Sequence, residues 1–376
     1  MINVFETSIG DAISSDERSI STLTLNPFFR IHLGPPITCD LLLDGKSLVF
    51  HDPRYIELLS QLENIKIVEE ITRKVKAVFC VGCQDADKII NELVHNRILV
   101  TNINDYNLEG IQHWIKRGWL DALVLHLRSR NIDCLDDEAA DSHAHNDSVM
   151  EELIASEGMP DVWKIYQNKA RYPLGKGEPL PENQTLEEVL LRRRSFEPWK
   201  QKTLRLAQLS TILSYANKET LRLRIEIENE VARRPSVLLN SSFTALETYF
   251  FAFAVEGLPN GIYHYDMRSH AVSLLREGVF REEVARMCIG QRRPSTARCV
   301  FVVSAVFKRY MYRYRHPRAY RNLLINVSEF AHKYILIATA FGLSTFLTPA
   351  LEDEYADTLL GVNGYEEAPL YVVAVG

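Results

Sequence analysis

The chain has 376 residues, 46% of them hydrophobic and 24% charged, which is enough for two domains or one large domain with an appendage. Its net charge of −6 and pI near 6.0 argue against a nucleic-acid partner. Basic residues do cluster locally, at Arg192–Arg194 and between Arg309 and Arg321. These clusters suit a phosphate or an acidic peptide. The start of the chain is polar and acidic, without a basic cap ahead of an apolar run, so no signal peptide is expected. No stretch reaches the ~18 uninterrupted apolar residues of a membrane span. Six cysteines in this length do not make a disulfide framework, and the expected compartment is a reducing cytoplasm.

Residues 1–25 read as a polar, frayed segment. From Asn26 apolar and polar residues alternate, and Asp44-Gly45 between two apolar runs predicts a hairpin turn. Helical spacing follows over Pro53–Leu62, Ile65–Lys74 and Cys83–His95, and Ile98–Val100 predicts a strand. Residues 26–104 thus predict a winged-helix-like module. Residues 105–183 predict a helical linker. Its first part, Asn107–Arg130, reads as helix; Ile132–Asp147 reads as an exposed acidic loop; and Pro173–Asn183 reads as a Pro- and Gly-rich connection.

Residues 184–376 predict the catalytic-type domain. Thr185-Leu186-Glu187-Glu188 has the spacing of a capping box. Further helices are expected at Ala207–Ala216 and Arg321–Phe341. Strands are expected at Thr248–Val255, Gly261–Tyr265 and Arg298–Ala305. Cys80-Val81-Gly82-Cys83 reads as two buried cysteines flanking a turn, since no second Cys-x-x-Cys exists to complete a zinc site. His143 and His145 read as loop residues.

The order of segments after residue 184 resembles the flavin-dependent dehydrogenases that oxidise azoline rings in ribosomal peptides. These are the SagB/McbC-type members of the nitroreductase superfamily. The resemblance rests on Arg193-Arg194-Ser195, on Gly257-Leu258-Pro259-Asn260-Gly261-Ile262-Tyr263-His264-Tyr265-Asp266, and on Arg309-Tyr310-Met311-Tyr312-Arg313-Tyr314. It also rests on Arg318-Ala319-Tyr320-Arg321 and Thr345–Asp353. It implies an α+β fold, a nitroreductase-like core in which an antiparallel-rich sheet is flanked by helices, with the winged-helix-like module recognising a leader peptide. The implied cofactor is FMN. Arg193, Arg194 and Ser195 would hold its phosphate. Asn240, Ser241 and Ser242 would flank the ring, Ala350 would offer it a backbone amide, and Arg309 and Arg321 would bind the cofactor or hold the fold. Tyr314, aided by Arg313, would act on the substrate proton. The implied partners are a peptide substrate, a second copy or a related subunit completing a dimer, and a cyclodehydratase, with neither nucleic acid nor membrane.

Four departures from the family pattern fall on cofactor contacts. Glu197 stands where an arginine is usual. The glycines of the ring-facing loop are replaced around Asn240–Ser242. Pro349 has no N–H to give, and no basic residue follows the last strand. Arg313 replaces a lysine, and an arginine stays charged at any working pH. Two further readings therefore stay open. One is a scaffold subunit that binds peptide or an active partner without flavin; the other is a nitro- or quinone-reducing enzyme that uses NAD(P)H.

Overall fold

The computed structural model describes residues 2–5, 22–130, 142–239 and 242–376, with the backbone alone at 2–5, 142–144, 242 and 313. The chain divides into two compact units. The first comprises 1–134 with 316–318, and the second 135–315 with 319–376. Among the described residues no helix is long and apolar enough to cross a membrane.

In the first unit β1 (Ile2–Phe5), β3 (Phe29–His32), β4 (Ile37–Leu41) and β5 (Lys46–Phe50) form an antiparallel sheet in the order β1-β5-β4-β3. The predicted turn joins β4 to β5, and Gly45 supplies its positive φ of 66°. A second, two-stranded sheet pairs β2 (Thr24–Leu25) with β6 (Leu99–Val100). Three helices lie between β5 and β6: α1 (Arg54–Gln61), α2 (Val68–Phe79) and α3 (Cys83–His95). Ile71, Val75, Val78 and Phe79 recur at helical spacing on α2, and all four are buried in one core with Leu48, Leu58 and Leu93.

The expected single helix over Asn107–Arg130 is two helices, α4 (Leu108–Ile115) and α5 (Leu120–Arg128). Gly118, at φ 73°, breaks the run, and an apolar stripe alone does not reveal that break. The acidic loop expected over Ile132–Asp147 is also corrected in part. Residues 131–141 lie outside the described set, and from Ser142 the chain is helix α6 (Ser142–Glu157).

The second unit is built on a seven-stranded, wholly antiparallel sheet. Its order is β12 (Thr345–Thr348), β13 (Glu367–Val375), β11 (Cys299–Val306), β8 (Leu246–Ala252), β9 (Gly261–Asp266), β10 (Ala271–Glu277) and β7 (Ala170–Pro173). β8 and β11 are covered on both faces and so read as near-continuous apolar runs rather than as alternation. One face packs on α8 (Leu206–Ala216) and on the long helix α13 (Arg318–Ala340), through Leu209, Ile212, Phe330 and Tyr334. The other packs on α10 (Arg281–Met287) and α14 (Asp353–Leu360), through Val284, Met287 and Leu359. The remaining helices are α7 (Leu186–Arg192), α9 (Lys218–Glu230), α11 (Arg292–Ser295) and α12 (Phe307–Arg313). An antiparallel sheet with helices on both faces makes this an α+β protein.

Candidate functional site

Helix α7 places the predicted arginines. Thr185 is its N-cap and accepts from the Glu188 N–H, while the Glu188 carboxylate accepts from the Thr185 N–H, so both halves of the expected capping box are made. The helix ends at Arg192, and Arg193 leaves in an extended conformation. Arg193 Nη1 donates to Ser195 Oγ at 3.2 Å, and Arg194 Nη1 donates to the Arg193 carbonyl at 3.1 Å. The three residues expected to act together are therefore brought together.

A small cavity opens beside them. Arg192, Arg193, Arg194 and Lys200 line it against a single carboxylate, Glu197. Glu197 was the troubling departure, but its carboxylate lies 3.1 Å from Lys200 Nζ. Four cations to one matched carboxylate leave the lining strongly positive. The buried Thr339 from α13 completes it, and its Oγ1 has no hydrogen-bond partner. A phosphate has the acceptor oxygens that guanidinium forks and such a hydroxyl require, so this donor set fits one. The helix dipole gives no help, because the C-terminal end of α7 carries its negative end.

The turn after α7 is held from outside. Arg293 Nε donates to the Ser195 carbonyl at 3.0 Å, Arg293 Nη2 donates to the Glu197 carbonyl, and its guanidinium stacks over Trp199 at 4.1 Å. Ser344 Oγ donates to the Pro198 carbonyl at 2.7 Å. Sequence reasoning missed Lys200, Arg293 and Thr339. Lys200 alone carried a signal, a basic residue three positions after Glu197.

The other predicted residues lie elsewhere. Asn240 and Ser241 fall outside the described residues, and Ser242 and Arg313 are described by backbone alone. The Ala350 N–H donates to Thr348 Oγ1 at 3.0 Å, so it is already engaged. Arg321 sits in the first turn of α13 and does not line the basic cavity. Tyr314 caps α12, half-buried, with its ring 5.0 Å from that of Tyr310; it too is outside this cavity. Among the described residues no group of three metal-ligating side chains gathers. Cys80 and Cys83, expected to be buried, are instead exposed free thiols, because they sit at the facing ends of α2 and α3.

Arg309 belongs to a different constellation. It ion-pairs with Glu247 at 2.5 Å, and Glu247 also accepts from Arg224 at 3.0 Å and from His264 Nε2 at 3.1 Å. Since a carboxylate only accepts, His264 carries a proton on Nε2; its buried Nδ1 has no partner. Burial alone would raise the Glu247 carboxyl, but the Arg224 and Arg309 charges outweigh it and hold the group well below the usual range. Burial pushes Arg224 the other way, down to about 10, against the pull of Glu247. Two strands over, on β13, Glu367 accepts from Tyr249 at 2.9 Å, from Ser304 at 2.7 Å and from Lys164.

Comparison with protein families matches residues 190–376 to the nitroreductase family. Trifolitoxin operon protein TfxC of Rhizobium leguminosarum bv. trifolii is 32% identical over 372 residues, covering 94% of this chain and all of that protein. The chain belongs to the nitroreductase family. It is also similar to trifolitoxin-processing protein TfxB of the same organism, 23% identical over 176 residues, which is 46% of this chain and 47% of that one. A solved chain of the E. coli microcin synthetase McbBCD complex is 17% identical with a TM-score of 0.38, covering 62% of this chain and 93% of that one. The nitroreductase match begins within α7 and includes the basic cavity, the polar network apart from Lys164, and the whole sheet apart from β7.

Proposed function

We propose that this nitroreductase-family protein is an FMN-dependent dehydrogenase of a ribosomally made peptide, working in natural-product biosynthesis. The observation that carries the reading is the full-length similarity to a trifolitoxin operon protein, joined to a basic cavity beside Arg193 and Arg194 whose donors suit a phosphate. Arg193 and Arg194 would grip the flavin phosphate, with Ser195 steering Arg193 and Lys200 cancelling Glu197. Bound FMN would supply the two-electron acceptor for oxidation of the peptide. Tyr314, on the turn after α12, would take part in moving the substrate proton, with Arg313 beside it as a fixed positive charge. Ser242 would face the ring from the loop that leads into β8. The N-terminal unit would hold a leader peptide, a reading supported by similarity to the operon protein that runs through that unit as well. A second copy or a related subunit would complete the active pocket.

The engaged Ala350 amide favours a second reading, a scaffold without flavin. Purification without added cofactor, an FMN soak and gel filtration separate the two. The dehydrogenase reading expects retained visible flavin absorbance that bleaches anaerobically on adding a precursor peptide, with loss of two hydrogens from that peptide. Protein that stays colourless after the soak overturns it.

A further inference from the structure

The sheet of the second unit changes character along one face. Where Phe251, Ile262 and Val300 stand, it is apolar and packed. At the other end of the same strands the face carries Glu247 and Tyr249 on β8, His264 on β9, Ser304 on β11 and Glu367 on β13. This polar end opens on a cavity of about 620 Å³, walled by the segment through Trp163 and Lys164, by the start of α12, and by the turn before β13.

The floor has spare donors, and each of its carboxylate oxygens already accepts. Both oxygens of Glu247 are taken, by Arg224 and Arg309 on one and by His264 on the other. Both oxygens of Glu367 are taken, by Tyr249 and Ser304 on one and by Lys164 on the other. Arg309 commits Nη1 to Glu247 and Nε to the Asp161 carbonyl, leaving its Nη2 hydrogens. Lys164 has three N–H groups; one goes to Glu367 and one is directed toward Tyr166. Trp163 lines the cavity, and its Nε1, a donor only, is buried without a partner.

Charge points the same way. Arg224, Arg309 and Lys164 set three cations against the two carboxylates of Glu247 and Glu367, which leaves one uncompensated positive charge. A buried excess charge is costly unless something pairs with it. At the mouth the exposed side chains of Asp161, Glu366 and Lys308 sum to one negative charge, screened by water. That mouth disfavours a dianion. A phosphate ester, with a charge of about −1.5 to −2, would overshoot the floor, whereas a single carboxylate matches it.

We propose that this cavity is a carboxylate-binding site that takes one carboxyl group of a peptide or small acid onto Lys164, Arg309 and the Trp163 indole N–H. Neither the basic cavity nor flavin enters the argument, so the site stands whether or not FMN binds.

Calorimetric titration of the full chain tests it with four probes: N-acetylglycine, N-acetylaspartic acid α-amide, N-acetylglycinamide and inorganic phosphate. At least one of the two acids should bind saturably at one site per chain, and the stronger one identifies a terminal or a side-chain carboxylate as the source. The glycinamide and phosphate should bind at least about tenfold more weakly, the loss expected for a charge-assisted hydrogen bond. Trp163→Phe and Lys164→Gln should each weaken the acid about tenfold. Trp163→Phe removes the neutral donor and part of a ring packed against Arg224 and Arg268, so its thermal midpoint is measured beside its affinity, and it tests the site even if Lys164→Gln fails to fold. Equal binding of acid and amide, no binding of either acid, or unchanged acid affinity in Trp163→Phe overturns the proposal.

Discussion

Glu247 holds a full charge where water does not reach, between two guanidinium groups and an imidazole. Removing that charge strands Arg224, which is itself fully buried. Glu247→Gln should therefore cost about 3 kcal/mol or more in a denaturant titration. The same pair sets an acid limit. Its carboxyl titrates lower in the folded chain than the ordinary 4.5. Its contribution is thus fully present above about pH 4.5 and is lost as pH falls toward the folded value. Acid titration of stability should show a decline below about pH 4.5 that is shallower in Glu247→Gln. A protein equally stable at pH 3 and pH 6 would contradict the assignment. Arg193, Arg194 and Ser195 were legible as a group because they are adjacent in the chain. The pairing of Arg309 with Glu247 was not, since 62 residues separate the partners and only strand register brings them together. Thr339 was equally hidden, because an unmatched hydroxyl looks like any core threonine until its surroundings are known.

Local rules do most of the work at the scale of elements. The Thr185 capping box sets the start of the helix whose far end carries the arginines. Thr185→Ala should lower stability by about 1 kcal/mol and weaken FMN binding by fraying α7, as read by thermal melting and flavin titration. Gly261 answers a different need. A Cβ there would meet the Arg276 carbonyl oxygen and Leu274 Cδ1, each at 2.6 Å. Gly261→Ala should force β9 and β10 apart, next to the irregular register between Leu274 and Arg276, and lower stability by about 1–3 kcal/mol. Turn chemistry and helical spacing exposed most elements, including the Asp44-Gly45 hairpin and the long helix α13. They failed where a short breaker divides an apolar stripe, as Gly118 does, and where a polar run is nonetheless helical, as from Ser142. Charged α9 was missed for a related reason. Leu223, Arg224 and Ile227 are its buried side, and an arginine there interrupts the expected apolar face.

Taken whole, the protein joins a small β/α unit to a nitroreductase-family sheet. The long-range strand pairs of that sheet gather the chemistry at two places. One is the basic cavity after α7, and the other is the polar end of β8, β11 and β13. The first is the heart of the functional reading, which requires the arginine cluster to hold a phosphate rather than merely cap a helix. FMN and riboflavin differ only in that phosphate, so their affinities for the purified full chain measure the grip directly. FMN should bind at least about tenfold more tightly than riboflavin, and Arg193→Gln should erase most of the difference. Equal affinity for the two flavins in the wild-type protein, or binding of neither, would contradict the account.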